Sequence, residues 1–255
     1  MVSHRHHDVI INLKTLKHLA KLEDVLVVCR DNLPVSKLRD YCKVNNIIYL
    51  PNEKPIGFGE NNNLNFRFYQ QNLEPKSSDY FLILNPDVVV TNEAMKKLKE
   101  SFIKTDKLVM YAANLYLDAE YIAQDDNIRR YPKFFDFVKT FLFDDRKTMI
   151  DRNMPLPQTN KFWCSAAFLA LNVETYLKLR GFNERYYLYC EDIDLCYRAS
   201  VLNIRVKYLE NVKALHFRQR NSKRLFTKYF FWHVQSVFIF QICKIFPSLF
   251  KSSVK

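Results

Sequence analysis

An α/β fold, a mixed and mainly parallel sheet flanked by helices, is predicted for this 255-residue chain by three observations. Short apolar runs alternate with segments of helical periodicity through the first half, the pattern of βαβ units. Polar residues gather just past the carboxyl ends of the predicted strands, where open α/β sheets bind ligands. Composition is the third: 48% hydrophobic, 15% aromatic and 26% charged residues with three glycines give a folded chain with a sizeable core. They exclude disordered, collagen-like and low-complexity classes.

Taken in order, residues 25–29 read as a strand, 36–43 as a helix and 47–50 as a second strand. A Pro/Gly loop over 51–59 leads to a helix at 62–72 and to the buried strand YFLIL at 80–84, after which Thr91 can cap a helix. Residues 118–160 are polar apart from one apolar helix-like piece, KFFDFVKTFLF, and form an excursion from the sheet. Strand, helix and strand signals resume with WCSAAFLAL, VETYLKLR and IRVKYL. With no internal repeat and no Gly/Ser linker, residues 1–222 form one domain and 223–255 a basic, aromatic helical tail. The tail's apolar stretch, 229–246, is broken by His233, Gln235, Gln241 and Lys244, which suits a headgroup-level helix, or one packed on the domain, better than a span.

Charge is unevenly spread. Of the net +12, residues 198–255 carry +11, from twelve Lys/Arg against Glu210. Such asymmetry points to an anionic partner, a phospholipid surface or a nucleic acid, with a solvated basic face as the alternative. No nucleic-acid-binding motif is present, so nucleic acid is not expected. Six cysteines without a CxxC pair read as reduced thiols, and no secretory signal opens the sequence; both point to the cytoplasm.

Three polar clusters follow strands: Asp31 and Asn32 after VLVVCR, GFGENNN at 57–63, and Asn85, Pro86 and Asp87 after YFLIL. Each alone is also ordinary turn chemistry. A carboxylate such as Asp87 at the sheet edge can hold Mg²⁺ or Mn²⁺, leaving positions for water and phosphate oxygens. His216, after the strand-like run VKAL, is a second possible ligand. The densest acidic cluster is Glu191, Asp192 and Asp194 in YLYCEDIDLCYR. Acids cap helix starts, but three in four residues beside Tyr186, Tyr187 and Tyr189 exceed a cap and offer a general base toward a hydroxyl.

In this order, GFGENNN, FLILNPDVV, WCSAAFLAL and GFNERYYLYCEDIDLCYR resemble the inverting glycosyltransferases of family 2, the bacterial O-antigen rhamnosyltransferases above all, from Val2 to about Trp232. The resemblance implies a GT-A (nucleotide-diphospho-sugar transferase) fold. It implies transfer of L-rhamnose from dTDP-rhamnose to N-acetylglucosamine (GlcNAc) on a polyprenyl diphosphate. The alternatives are a UDP-sugar donor (galactose, galactofuranose or glucose) or a catalytically silent sugar-nucleotide-binding relative. By residue, it implies nucleotide-sugar contacts from Ser3, His4, Asp31, Asn32, Gly57, Gly59, Asn62 and Asn85. A divalent metal falls to Asp87 and His216, the catalytic base to Asp192, and acceptor binding to Glu191 and Trp163. The tail would then attach the enzyme to the inner face of the cytoplasmic membrane. Three positions depart from the family pattern: only Met1 and Val2 precede Ser3 where a longer apolar strand is expected, and Arg5 and Ala166 stand where Gly is usual. No QxxRW stretch occurs, so a processive synthase is not expected.

Overall fold

The computed structural model describes residues 1–103, 108–143, 145, 147–157, 161–218 and 227–255. In chain order the elements are β1 (Val2–Ser3), α1 (His7–Leu13), α2 (Thr15–Leu19), β2 (Val28–Asp31), α3 (Ser36–Val44), β3 (Ile48–Pro51) and α4 (Phe58–Asn72). Then come β4 (Tyr80–Leu84), β5 (Val88–Val90), α5 (Asn92–Ile103), β6 (Val109–Tyr116), β7 (Ile128–Arg130), α6 (Phe134–Phe143), β8 (Phe162–Cys164) and β9 (Phe168–Asn172). The chain continues through α7 (Val173–Lys178), α8 (Glu191–Val201), β10 (Arg205–His216) and α9 (Lys228–Ile245), then a 3₁₀ turn at Pro247–Leu249.

The strands form a parallel sheet β1-β2-β3, a five-stranded sheet β4-β9-β6-β10-β5 and an antiparallel pair β7-β8. In the larger sheet β6 and β10 run parallel, while β9 and β5 are antiparallel to their neighbours. All eight residues of β6, VMYAANLY, are buried, as befits a strand covered on both faces. The Thr91 hydroxyl accepts from the Ala94 N–H at 3.1 Å at the start of α5, the expected cap. The main core spans both sheets, and a second packs β9, α7 and α8 around Phe66, Tyr176 and Phe182.

Several elements differ from the sequence expectation, and WCSAAFLAL, expected as one strand, contributes to two, β8 and β9, in different sheets. The strand expected at 25–29 lies at Val28–Asp31, which carries Asp31 to the sheet edge. Helix α4 begins at Phe58, so GFGENNN is mostly helix rather than loop. Asn residues compete with helices by bonding nearby backbone, yet here Asn61 donates to Gly57 O, Asn62 to Phe58 O and Asn63 to Phe182 O. Each amide thus bonds a carbonyl at the helix start or in a neighbouring loop. IRVKYL and VKAL are one strand, β10, with a bulge between Leu209 and Lys213 that changes its partner from β6 alone to β6 and β5.

The expected boundary at 222/223 lies outside the described residues. Within the tail, α9 packs by one face: Val237 and Phe240 are buried beside Tyr186 and Ile193, and the Ser236 hydroxyl donates to Leu188 O at 2.8 Å. The last residues return to the body, where Ser253 N–H donates to Glu184 at 2.7 Å and Val254 is fully buried. No described helix is long and apolar enough to cross a membrane.

Candidate active site

The ends of β1 and β2 lie side by side because the two strands are parallel and in register, Ser3 opposite Asp31. The Asn32 N–H donates to Ser3 O at 2.8 Å, and the Asn32 amide donates to His4 Nδ1 at 2.9 Å. Asn32 Oδ1 accepts from Ile56 N–H and from Asn52, whose amide also reaches Asn61. One amide network thus ties the ends of β1, β2 and β3 to the start of α4. Asp31 Oδ2 accepts from Tyr49 and from the Val35 N–H, while Asp31 Oδ1 and Ser3 Oγ are buried without a partner. Unpaired buried acceptors cost free energy unless a ligand meets them. An open cleft of about 400 Å³ beside them is lined by Arg5, His7, Leu33, Pro34 and Val35. The missing Cβ atoms of Gly57 and Gly59 serve a different purpose. They let α4 press against the loop at 182–187, where a Cβ on Gly57 would strike Tyr186 O and one on Gly59 would lie 2.8 Å from Phe182 Cβ. The Asn62 amide is likewise turned back onto Phe58 O.

Beyond β4, the Asn85 N–H donates to Ala167 O and Asn85 O accepts from Val88, a turn that carries Asp87 to the start of β5. The antiparallel pairing of β5 with β10 sets His216 opposite Val88. His216 Nε2 lies 3.4 Å from Asp87 Oδ1, and its Nδ1 donates to Asp125 Oδ2 at 2.5 Å. Burial alone would lower the His216 pKa, but the bonds from Asp125 and Asp87 carry it up to about 9. Burial pushes Asp87 up, and the hydrogen bond and charge of His216 outweigh that and leave it below the usual carboxylate value. A carboxylate facing an imidazole whose other nitrogen is held by a second carboxylate is a donor set that suits a divalent cation, with the cation in place of the proton between them. The described residues contain no group of three metal-type side chains, so the remaining positions would fall to water and phosphate oxygens.

Glu191 and Asp192 open α8 directly after Tyr189 and Cys190, both in the left-handed region at φ of 73° and 63°. Backbone held there costs about 1–3 kcal/mol per residue and persists where the surroundings fix it. The helix start aims Asp192 at the loop after β8: its Oδ1 accepts from Ile193 N–H at 2.9 Å and its Oδ2 from Ala166 N–H at 3.4 Å. Asp192 stays partly exposed, whereas Glu191 and Asp194 are buried. Burial raises Asp192 to about 6 against those N–H bonds and the Arg129 charge; burial and the neighbouring Asp192 raise Glu191 to about 8. Glu191 Oε2 and Trp163 Nε1 are buried without partners. Trp163 packs against the Tyr186–Ile193 cluster and stands opposite Arg129 across β7-β8. Asp194 has a structural task, pairing at 2.8 Å with Arg198, which also holds Gly181 O.

The fold recurs in known enzymes. The solved structures that it matches include GalNAc-T7 with UDP, GalNAc and Mn²⁺, at TM-score 0.58 and 12% identity over 84% of this chain, and the mannosyltransferase PcManGT from Pyrobaculum calidifontis in complex with GDP-Man and Mn²⁺, at 0.56 and 11% over 94%. This chain spans 41% and 62% of those two chains. In sequence it is 29% identical over 239 residues to the rhamnosyltransferase WbbL of Escherichia coli strain K12, covering 93% of this chain and 89% of that protein. The chain is a glycosyltransferase with the GT-A fold. It is also 22% identical over 226 residues to the low-salt glycan biosynthesis hexosyltransferase Agl10 of Haloferax volcanii, covering 87% of the chain and 70% of that protein. No family model matches the glycosyltransferase. Its likeness to WbbL accords with the family 2 resemblance read from the motifs.

Five residues of the site, Asp125, Asp126, Arg129, Arg218 and His6, escaped the sequence reading. Asp125 and Asp126 of the glycosyltransferase pair with Arg218, and Arg129 lies 3.8 Å from Asp126 while its charge reaches Asp192. This network joins the Asp87–His216 pair to Asp192. His6 acts on Asp87 through its charge. The only signal for Asp125, Asp126 and Arg129 was the charge-rich run QDDNIRR, which reads equally well as a solvated loop.

Proposed function

We propose that this glycosyltransferase moves L-rhamnose from dTDP-rhamnose onto a polyprenyl-diphosphate-linked GlcNAc, with inversion, at the inner face of the cytoplasmic membrane of a bacterium. The observation that carries the donor is the likeness to rhamnosyltransferase WbbL over nearly the full length of both chains. The site supports a single displacement. Asp192, partly exposed and braced by two backbone N–H groups, accepts the proton of the acceptor hydroxyl as its oxygen attacks the anomeric carbon. Glu191, buried and held neutral at pH 7, is available to donate to an acceptor oxygen. Trp163 supports the acceptor sugar by stacking. On the donor side, Asp31, Asn32, Ser3 and His4 line the ends of β1 and β2, where two unpaired oxygens await nucleoside donors. Gly57, Gly59 and Asn62 serve by shaping the loop rather than by side-chain contact, and Asn85 by its backbone turn. Asp87 and His216 would hold Mg²⁺ or Mn²⁺, which when bound neutralises the charge developing on the departing diphosphate.

The test is transfer to a GlcNAc-diphospho-lipid with dTDP-rhamnose and UDP-sugars offered separately, followed by mass spectrometry. A rhamnose-mass gain that is lost in Asp192→Asn supports the reading. A gain only from a UDP-sugar overturns the donor, and no gain from any donor favours a silent sugar-nucleotide-binding relative.

A further inference from the structure

Helix α9 has two apolar faces, and only one is covered. His233, Ser236, Val237 and Phe240 face the body: the His233 ring lies 5.0 Å from that of Tyr189, and Phe240 lies 5.9 Å from Tyr197. The opposite stripe, at helical spacing, is Phe231, Val234, Phe238, Ile242 and Ile245, all exposed, with Phe231 at 59% and Ile245 at 71%. The amino-terminal end of α6 extends it, since the Phe134 ring packs 5.9 Å from Phe238 and Phe135 is 72% exposed. A contiguous apolar surface of this kind on a soluble domain marks an interaction site.

Charge selects the partner. Between Asn211 and Lys255 stand nine Lys/Arg and no Asp or Glu, and Lys228 and Lys244 lie on α9 itself. A second copy brought face to face would set like charge on like charge. An anionic bilayer offers apolar chains to the stripe and phosphates to the cations together.

We infer that the amino-terminal end of α6 and the exposed face of α9 form one insertion surface that seats the enzyme on an anionic lipid bilayer. This rests on the reading of a lipid-linked acceptor and adds its orientation. The covered face of α9 lies on Tyr186, Tyr189 and Ile193, which flank Asp192 at the start of α8, and the Trp232 ring lies 4.4 Å from that of Tyr187. The helix that enters the headgroups therefore also forms a wall beside the candidate acceptor pocket, so a lipid diphosphate reaches Asp192 without leaving the interface.

The test is flotation of the full chain with phosphatidylethanolamine vesicles, with and without phosphatidylglycerol, against the Phe135→Ser/Phe231→Ser/Ile245→Ser variant. The three side chains face solvent, so the variant should melt like the parent. The expected result is flotation that needs phosphatidylglycerol and weakens with salt, and a loss of about a hundredfold in partitioning by the variant. Sugar transfer to a GlcNAc diphosphate with a short soluble tail should be unchanged. If transfer to that acceptor fails but flotation behaves as stated, the surface stands and the acceptor reading falls. Equal flotation of parent and variant, or no flotation of an active parent, overturns the surface. A parent dimer that the variant converts to monomers, with neither floating, makes the face a self-interface instead.

Discussion

Replacing Asp192 with Asn removes a proton acceptor while leaving its shape. The Asn carbonyl still accepts from Ile193 N–H at the 2.9 Å position, and the other contact, Ala166 N–H at 3.4 Å, is already long. The fold should therefore persist. A positioned general base contributes ~10²–10⁴-fold, or ~3–5 kcal/mol of barrier, so kcat for transfer should fall by that factor with little change in donor KM. The parent's pH profile gives an independent reading of the same group. With its carboxyl raised to about 6 by burial, about nine-tenths of Asp192 is ionised at pH 7 and about one-tenth at pH 5. The rate should drop roughly tenfold across that interval. The assay is initial rate by mass spectrometry on a soluble acceptor, with melting temperatures measured alongside. An Asn variant that keeps more than a tenth of the rate, or retains the acid limb of the profile, refutes the assignment.

Three further outcomes are expected. Burial raises Glu191 from an ordinary 4.5 to about 8, so between those values the native state holds more protons than the unfolded chain, and stability should decline as pH rises through that window. Glu191→Gln should flatten the decline, and melting temperatures at pH 5 and pH 8.5 that fall as steeply as the parent's would count against it. Gly181, at φ of 62°, has Asn63 Oδ1 where a Cβ would stand. Gly181→Ala should cost ~2–3 kcal/mol and about 5–10 °C in melting temperature, and a shift under about 2 °C would sink the packing argument. Asp125→Asn should loosen the hold on His216 Nδ1 and raise the Mn²⁺ concentration for half-maximal rate by ~10–100-fold; an unchanged metal requirement would remove Asp125 from the metal's support.

Local signals in the sequence carried the strands well where burial is continuous. YFLIL was legible as β4 because an unbroken apolar run with turn residues after it has few other uses. The same logic found Asp87, since only the strand's end is needed to place it. His216 was legible as a candidate, but its distance to Asp87 depends on the bulge in β10, a tertiary event with no sequence mark. Asp125 and Arg129 were missed because they come from a segment whose polarity resembles a solvated loop, and their burial is imposed by β6, β8 and Arg218 from elsewhere. The helix at GFGENNN was read to start at Asn62 rather than Phe58, because Gly57 and Gly59 signal a turn and the asparagines find partners at Phe182 and Gly57 that the sequence does not show. The tail's composition left open whether its helix packs on the domain, and the structure shows that α9 buries one apolar face there and leaves a second exposed.

The charge arrangement explains how so many acids can share one site. Asp87, Asp125, Asp126, Glu191 and Asp192 converge on the strand ends, and buried charges are costly unless paired. Asp125 is held by His216 and Arg218, Asp126 by Arg218 and Arg129, and Asp87 by His216, so each cation serves two acids and links the next. Arg129 extends the chain to Asp192 and opposes the rise that burial causes there. Glu191 Oε2, by contrast, lies buried without a donor, and its carboxyl is raised further than that of Asp192. The network thus divides two adjacent carboxyls. Near pH 7 one is ionised and reachable, and the other carries a proton. The start of α8 then presents one negative charge where the sequence shows two. That charge sits on the only one of the pair with room to accept a proton from outside.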